Sequence, residues 1–178
     1  LARLVLCRHG VTEHNSAGRF LSNADPPLSA DGRLQCERLR DALAPFGLEC
    51  CLVSPMRRCL ETREIVAGAL PFDVENALRE IHFGEWEGKT VDWLERHEPE
   101  RLASRRRNPV AFRPPGGESF EDAAPRLRAV VERIRPATST LVIGHRGTLG
   151  VLERLLRRLP LDSQSVTPLE PGEFRVIY

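Results

Sequence analysis

Apolar runs of strand length alternate along the chain with stretches whose apolar residues recur at helical spacing, a pattern that predicts an α/β fold around a largely parallel sheet. "LVLC", Leu4 to Cys7, reads as the first strand. "SADGRLQCERLRDALAPFG" then reads as a helix with Leu34, Leu39, Leu43 and Phe46 on its apolar face, Ser29 as cap and Gly47 as stop. "LECCLV" is the second strand, and Ser54 and Pro55 behind it suit the N-cap and first position of the helix "MRRCLETREIVAGAL". "TLVIG" gives a third strand, followed by the helix "GTLGVLERLLRRL", which Pro160 ends. A further helix is expected from Ser119 to Arg135, with Ser119 and Asp122 as a capping box. Pro125 conflicts with that helix unless it lies early or kinks it. "EFRVIY" is the last strand.

From Asn76 to about Ser119 the alternation breaks into short helical pieces and the loop "RRRNPVAFRPPGGES". Its length and proline content predict a lid-like insertion over the C-terminal ends of the strands, although composition alone fits a solvated insertion without a role nearly as well. The expected architecture is an α/β three-layer sandwich, a mostly parallel central sheet flanked by helices, forming a single domain over residues 1–178.

Composition narrows the function. With 41% hydrophobic and 29% charged residues and a net charge of +1, the chain has the profile of an ordinary soluble protein, and charge gives no argument for nucleic acid. No apolar stretch approaches the roughly 18 residues of a membrane span, and the N-terminus lacks the layout of a signal peptide. A chain that starts at Leu1 reads as processed or trimmed. The basic side is almost entirely arginine, Lys89 being the only lysine, and guanidinium is the group best suited to bidentate contact with phosphate or carboxylate. Cys7, Cys36, Cys50, Cys51 and Cys59 form no C-x-x-C pair, so neither a disulfide framework nor a thiolate zinc site is indicated, and a reducing cytoplasm fits.

The candidate chemistry sits at the strand ends. In parallel α/β sheets ligands bind outside the carboxyl ends of the strands, and here those ends carry "CRHG", "SPMRR" and "GHRG". Together they would deliver Arg8, His9, Arg57 or Arg58, His145 and Arg146 into one cationic crevice suited to a phosphate. An inverted zincin reading of His9, Glu13 and His14 fails, because the spacing is wrong and Gly10 breaks the helix it needs. Taken singly, His14, Glu13 and the run Arg105 to Arg107 are better read as solvated side chains.

These motifs resemble those of the histidine phosphatase superfamily, in its phosphoglycerate-mutase-like branch. "RHGVTEHN" is similar to the family's R-H-G-x-T-x-x-N, "GRFLSNADPPLSADGRLQ" to its R-F-x-G-x-x-D-x-P-L-[ST]-x-x-G-x-x-Q, "SPMRRCLET" to S-P-L-x-R-A-x-x-T, "LREIHFGEWEG" to L-x-E-x-x-F-G-x-x-E-G, and "GHRG" to the second histidine motif. The resemblance implies a metal-independent phosphomonoesterase with no cofactor: His9 the nucleophile that becomes phosphohistidine, Arg8 and Arg58 phosphate clamps, His145 a further donor to the phosphate and Glu80 the proton donor. It also implies that Asn15 and the first turn of the helix after His145 complete the phosphate cradle. Glu80 must start protonated, which sets an acid-to-neutral optimum.

Gly147, where the mutases carry asparagine, and the short chain favour phosphatase over mutase; a mutase, or a phospho-ligand-binding module without turnover, are the alternatives. "PPGGES" resembles the α-ribazole-5′-phosphate phosphatases and the broad-specificity phosphatases near them, though a Pro-Gly turn capping the next helix explains those residues equally well. Leu21 and Ser22, where the family commonly has a glycine at the second position, are candidate substrate contacts. Arg146 replaces a usual glycine and fits either a second anion on the substrate or a nearby carboxylate. Trp86, Trp93 and Phe112 fit an aromatic lid or, more simply, core. The expected partner is a small-molecule phosphate ester, with no nucleic acid or membrane, and the chain a monomer or homodimer.

Overall fold

In the computed structural model, which describes residues 2–178, five strands form one sheet: β1 (Leu4–Arg8), β2 (Cys50–Val53), β3 (Phe72–Val74), β4 (Thr140–Gly144) and β5 (Phe174–Val176). Their order is β3-β2-β4-β1-β5, with β5 antiparallel to β1 and the other pairings parallel. β1 and β4 are buried at every position, which is why each reads as a continuous apolar run rather than an alternation. The edge strand β3 has no counterpart in the sequence reading, because its three residues are exposed and show no buried face.

Side chains of successive β1 residues enter opposite cores. Val5 and Cys7 pack with Cys36, Leu39 and Leu43 from α2 (Ala30–Leu43, reached after the short α1, Glu13–Ser16) and Cys59 and Val66 from α3 (Arg57–Ala67). Leu4 and Leu6 pack with Leu127 and Val130 from α6 (Phe120–Arg133) and Leu149 and Leu152 from α7 (Arg146–Leu156). The three layers follow directly from this period of two. The five cysteines are free.

Several sequence expectations need correction. Leu34 is 52% exposed; the buried stripe of α2 runs through Gly32, Cys36, Leu39 and Leu43, and Leu34 falls on the opposite side. Ser54 and Pro55 do not begin a helix: the chain bends at Pro55 and Met56, Met56 is the N-cap of α3, and the Ser54 hydroxyl lies 2.8 Å from His145 Nε2. The capping box of Ser119 and Asp122 is present in full, and Pro125 lies inside α6, in its second turn. "RRR", Arg105 to Arg107, is the last turn of a helix rather than loop.

Between β3 and α6, α4 (Val91–His97) and α5 (Pro99–Arg107) enclose a separate small core of Trp86, Leu94 and Leu102, with Phe20, Phe83, Trp93 and Phe112 packed against it. The aromatic residues of this segment are therefore core. "PPGG" braces the turn beyond Glu80: Glu85 N–H donates to the Pro115 carbonyl and Glu118 N–H to that of His82. Gly84 sits at φ 56°, and a Cβ there would lie 2.0 Å from the Pro115 oxygen, so only glycine allows the two turns to meet.

Candidate active site

β1 and β4 pair in register up to Arg8 and Gly144, so the residues that follow, His9 and His145, leave the sheet side by side; His9 N–H donates to the Gly144 carbonyl and the ring centroids are 5.2 Å apart. Both rings are buried. His9 Nδ1 lies 2.7 Å from the Gly10 carbonyl, an acceptor, so Nδ1 carries the proton and Nε2 keeps its lone pair. Nε2 has no hydrogen-bond partner among the described residues. Burial first, then the charges of Arg58 and Arg8, hold the His9 pKa well below the ordinary 6.5, which keeps the ring neutral.

Arg58, in the first turn of α3, is fully buried; its terminal nitrogens donate to the carbonyls of Ala24 (3.0 Å) and Ser22 (3.2 Å) and to His145 Nδ1 (3.2 Å). A guanidinium can only donate, so His145 Nδ1 is an acceptor and its Nε2–H donates to Ser54 Oγ at 2.8 Å. Arg8 reaches the Leu169 carbonyl at 2.8 Å. The Nε–H of Arg8 and that of Arg58 are buried without a partner. Two guanidinium charges acting on a neutral imidazole make a setting suited to an anion.

Glu80 completes the centre from the opposite side. Its carboxyl group accepts from the N–H groups of Gly147 (3.1 Å), Thr148 (3.1 Å) and Ile81 (2.8 Å), so it rests on the N-terminus of α7. Of the first-turn N–H groups expected to cradle the phosphate, those of Gly147 and Thr148 are given to Glu80. Gly147 permits the contact: a Cβ there would lie 2.7 Å from Glu80 Oε1 and from Ile81 Cγ1.

Comparison with known proteins agrees with this arrangement. Residues 4–177 match the family model described as histidine phosphatase superfamily (branch 1). The chain belongs to that superfamily. Among similar proteins, this histidine phosphatase is 34% identical over 151 residues to the Bos taurus 6-phosphofructo-2-kinase/fructose-2,6-bisphosphatase 1, covering 84% of this chain and 31% of that one. It is 32% identical to a glucosyl-3-phosphoglycerate phosphatase of Mycolicibacterium vanbaalenii, covering 92% and 78%. The solved structure of a putative α-ribazole-5′-P phosphatase from Escherichia coli superposes with a TM-score of 0.87 at 26% identity, covering 98% and 89%. The chain spans about a third of the length of the bovine relative.

His9, Arg8, Arg58, His145 and Glu80 lie together at the ends of β1 and β4. Asn15 lines a cavity beside Arg8; its Oδ1 accepts from Thr12 while its amide NH2 has no partner among the described residues. Leu21 is buried, and the Ser22 hydroxyl is bonded to Glu87. Arg146 is ion-paired with Glu170 at 2.8 Å. Sequence reasoning missed two supports of the site. Ser54 was read as a helix cap, and Glu87 was passed over although it accepts from the N–H groups of Ser22 (2.9 Å) and Ala24 (3.1 Å), the two residues whose carbonyls hold Arg58. The last glutamate of the "LREIHFGEWEG" motif is the available signal for Glu87.

Proposed function

We propose that this histidine phosphatase is a metal-independent phosphomonoesterase acting on a small phosphorylated metabolite through a phosphohistidine at His9. The supporting observation is the state of His9: neutral, with Nδ1 anchored on Gly10, Nε2 unpartnered, and two buried arginines each holding an unused Nε–H. In the first step Nε2 attacks phosphorus and the P–O bond to the leaving group breaks, with Glu80 giving its proton to the departing alkoxide. Water then attacks phosphorus, the N–P bond breaks, and Glu80 takes the proton from the water. Arg8 and Arg58 neutralise charge on the equatorial oxygens, the dominant requirement of phosphoryl transfer.

α-Ribazole 5′-phosphate is one candidate substrate, since a structural neighbour carries that name, and a glucosyl phosphoglycerate is another. The test is acid-free quenching of a reaction with a ³²P-labelled aryl phosphate. Alkali-stable, acid-labile label on the wild-type protein and none on His9→Ala is expected, with turnover unchanged by EDTA. Turnover that survives His9→Ala, or is lost in EDTA, overturns the reading.

A further inference from the structure

The stretch from Glu80 to Phe83 belongs to neither a helix nor a strand and lies between short 3₁₀ turns at Asn76–Leu78 and Gly84–Trp86. Its backbone groups must therefore find partners outside any ladder, and side chains supply them. The N–H groups of Ile81, His82 and Phe83 donate in turn to Glu80 Oε1 (2.8 Å), Glu118 Oε2 (3.3 Å) and Ser22 Oγ (3.1 Å). On the other side of Glu80, the carbonyls of Ala77 and Arg79 both accept from Nη1 of Arg126, the second at 2.9 Å. Arg126 also forks onto Glu118: Nε donates to Oε1 at 3.0 Å and Nη2 to Oε2 at 2.8 Å. One ion pair thus grips the chain just before Glu80 through Arg126 and just after it through Glu118. Both side chains are largely covered, 25% and 21% exposed. Their own backbones are fixed, since Arg126 lies in α6 beside Leu127 of the main core, and Glu118 precedes the capping box and donates its N–H to the His82 carbonyl at 2.8 Å.

We infer that Glu118 and Arg126 are positioning residues for Glu80, a bracket that sets where its carboxyl group stands against the leaving oxygen of the substrate. The inference rests on the reading of Glu80 as proton donor. A proton donor must lie within hydrogen-bond reach of the oxygen it serves, and a misplacement of about 1 Å can cost on the order of 10²-fold. The N–H groups of Gly147, Thr148 and Ile81 hold only the carboxyl end of Glu80, so the main chain behind it depends on the bonds at Ala77, Arg79 and His82. The planar guanidinium suits this task because it meets two carbonyls and two carboxylate oxygens at fixed angles, whereas an ammonium would supply the charge without the fork.

Phenyl phosphate and 2,4-dinitrophenyl phosphate read the bracket, because phenolate departs with the help of a proton and dinitrophenolate leaves as the anion. The quantity is kcat/KM, which ends at cleavage of the P–O bond, so the later hydrolysis of phosphohistidine does not enter. Glu80→Gln, the reference, should lose about 10²–10⁴-fold with phenyl phosphate and little with the dinitrophenyl ester. Arg126→Lys is expected to lose about 10–10²-fold with phenyl phosphate while cleaving the dinitrophenyl ester at nearly the wild-type rate. Glu118→Gln, which breaks the fork without removing the arginine, should show the same split, and it decides the matter if Arg126→Lys does not fold. Once Glu80→Gln shows the split, equal losses with both esters in the bracket variants, or wild-type values with both, overturn the inference while the acid assignment stands. A Glu80→Gln variant that keeps the wild-type ratio between the two esters overturns the acid assignment, and this inference with it.

Discussion

β1 and β4 lie side by side, end at the same level and each deliver a histidine, yet the two imidazoles are held in opposite ways. His9 has one nitrogen tied to a neighbouring carbonyl and the other unpartnered, whereas His145 spends Nδ1 on Arg58 and Nε2 on Ser54. Burial and the same two arginines keep both rings neutral, so charge does not distinguish them. Bonding does. A neutral imidazole with a vacant lone pair is a nucleophile; one whose nitrogens are both engaged is a strut, here for the guanidinium that faces the first ring. With Nδ1 accepting from Arg58 and Nε2–H donating to Ser54, His145 has no ring N–H left over in this arrangement.

Replacing each histidine by asparagine should break the symmetry most sharply. His9→Asn is expected to lose on the order of 10⁴-fold or more in kcat together with all phosphoenzyme. His145→Asn should cost about 10²–10³-fold, the usual loss for a disturbed charge-stabilising group, while phosphoenzyme still forms. Absence of phosphoenzyme in both variants would erase the distinction. Ser54→Ala removes one hydrogen bond from the strut, about 1 kcal/mol, and so should lower kcat/KM roughly fivefold. Phosphate affinity should fall with it, since Arg58 loses its backing; an unchanged inhibition constant for inorganic phosphate would show that Ser54 serves only the fold.

The smallest expected effect is on stability. Both rings titrate near 6.5 when unfolded and well below that when folded, so below 6.5 the unfolded chain binds more protons. Their contribution is complete above that value and is lost as pH falls towards the folded pKa values. Melting temperatures measured between pH 7 and 5 should decline, and the decline should be shallower in His9→Asn and in His145→Asn than in wild type.

What the sequence could show and what it could not divides along range of interaction. Four of the five strands, α2, α6 with its capping box, and the five motif residues His9, Arg8, Arg58, Glu80 and His145 are legible because local period and short motifs carry them. Ser54 was misread because its partner lies 91 residues away in the chain, and a Ser-Pro pair satisfies the local rules for a helix start just as well. Glu87 holds a loop 65 residues before it, a relation that neither periodicity nor spacing encodes. Arg105 looked like one of three solvated arginines, and only the position of Phe20 separates it from Arg106 and Arg107, which are exposed.

The contact between Gly147 and Glu80 couples two motifs that never touch in sequence. A methyl group at 147 would have to push away a carboxylate already held by three N–H groups, and with it the start of α7. The identity of one small residue after the second histidine therefore records where the Glu80 carboxyl group sits, 67 positions earlier. Any redesign that decorates that helix start will displace Glu80 as well, so the two cannot be altered independently from this side of the pocket.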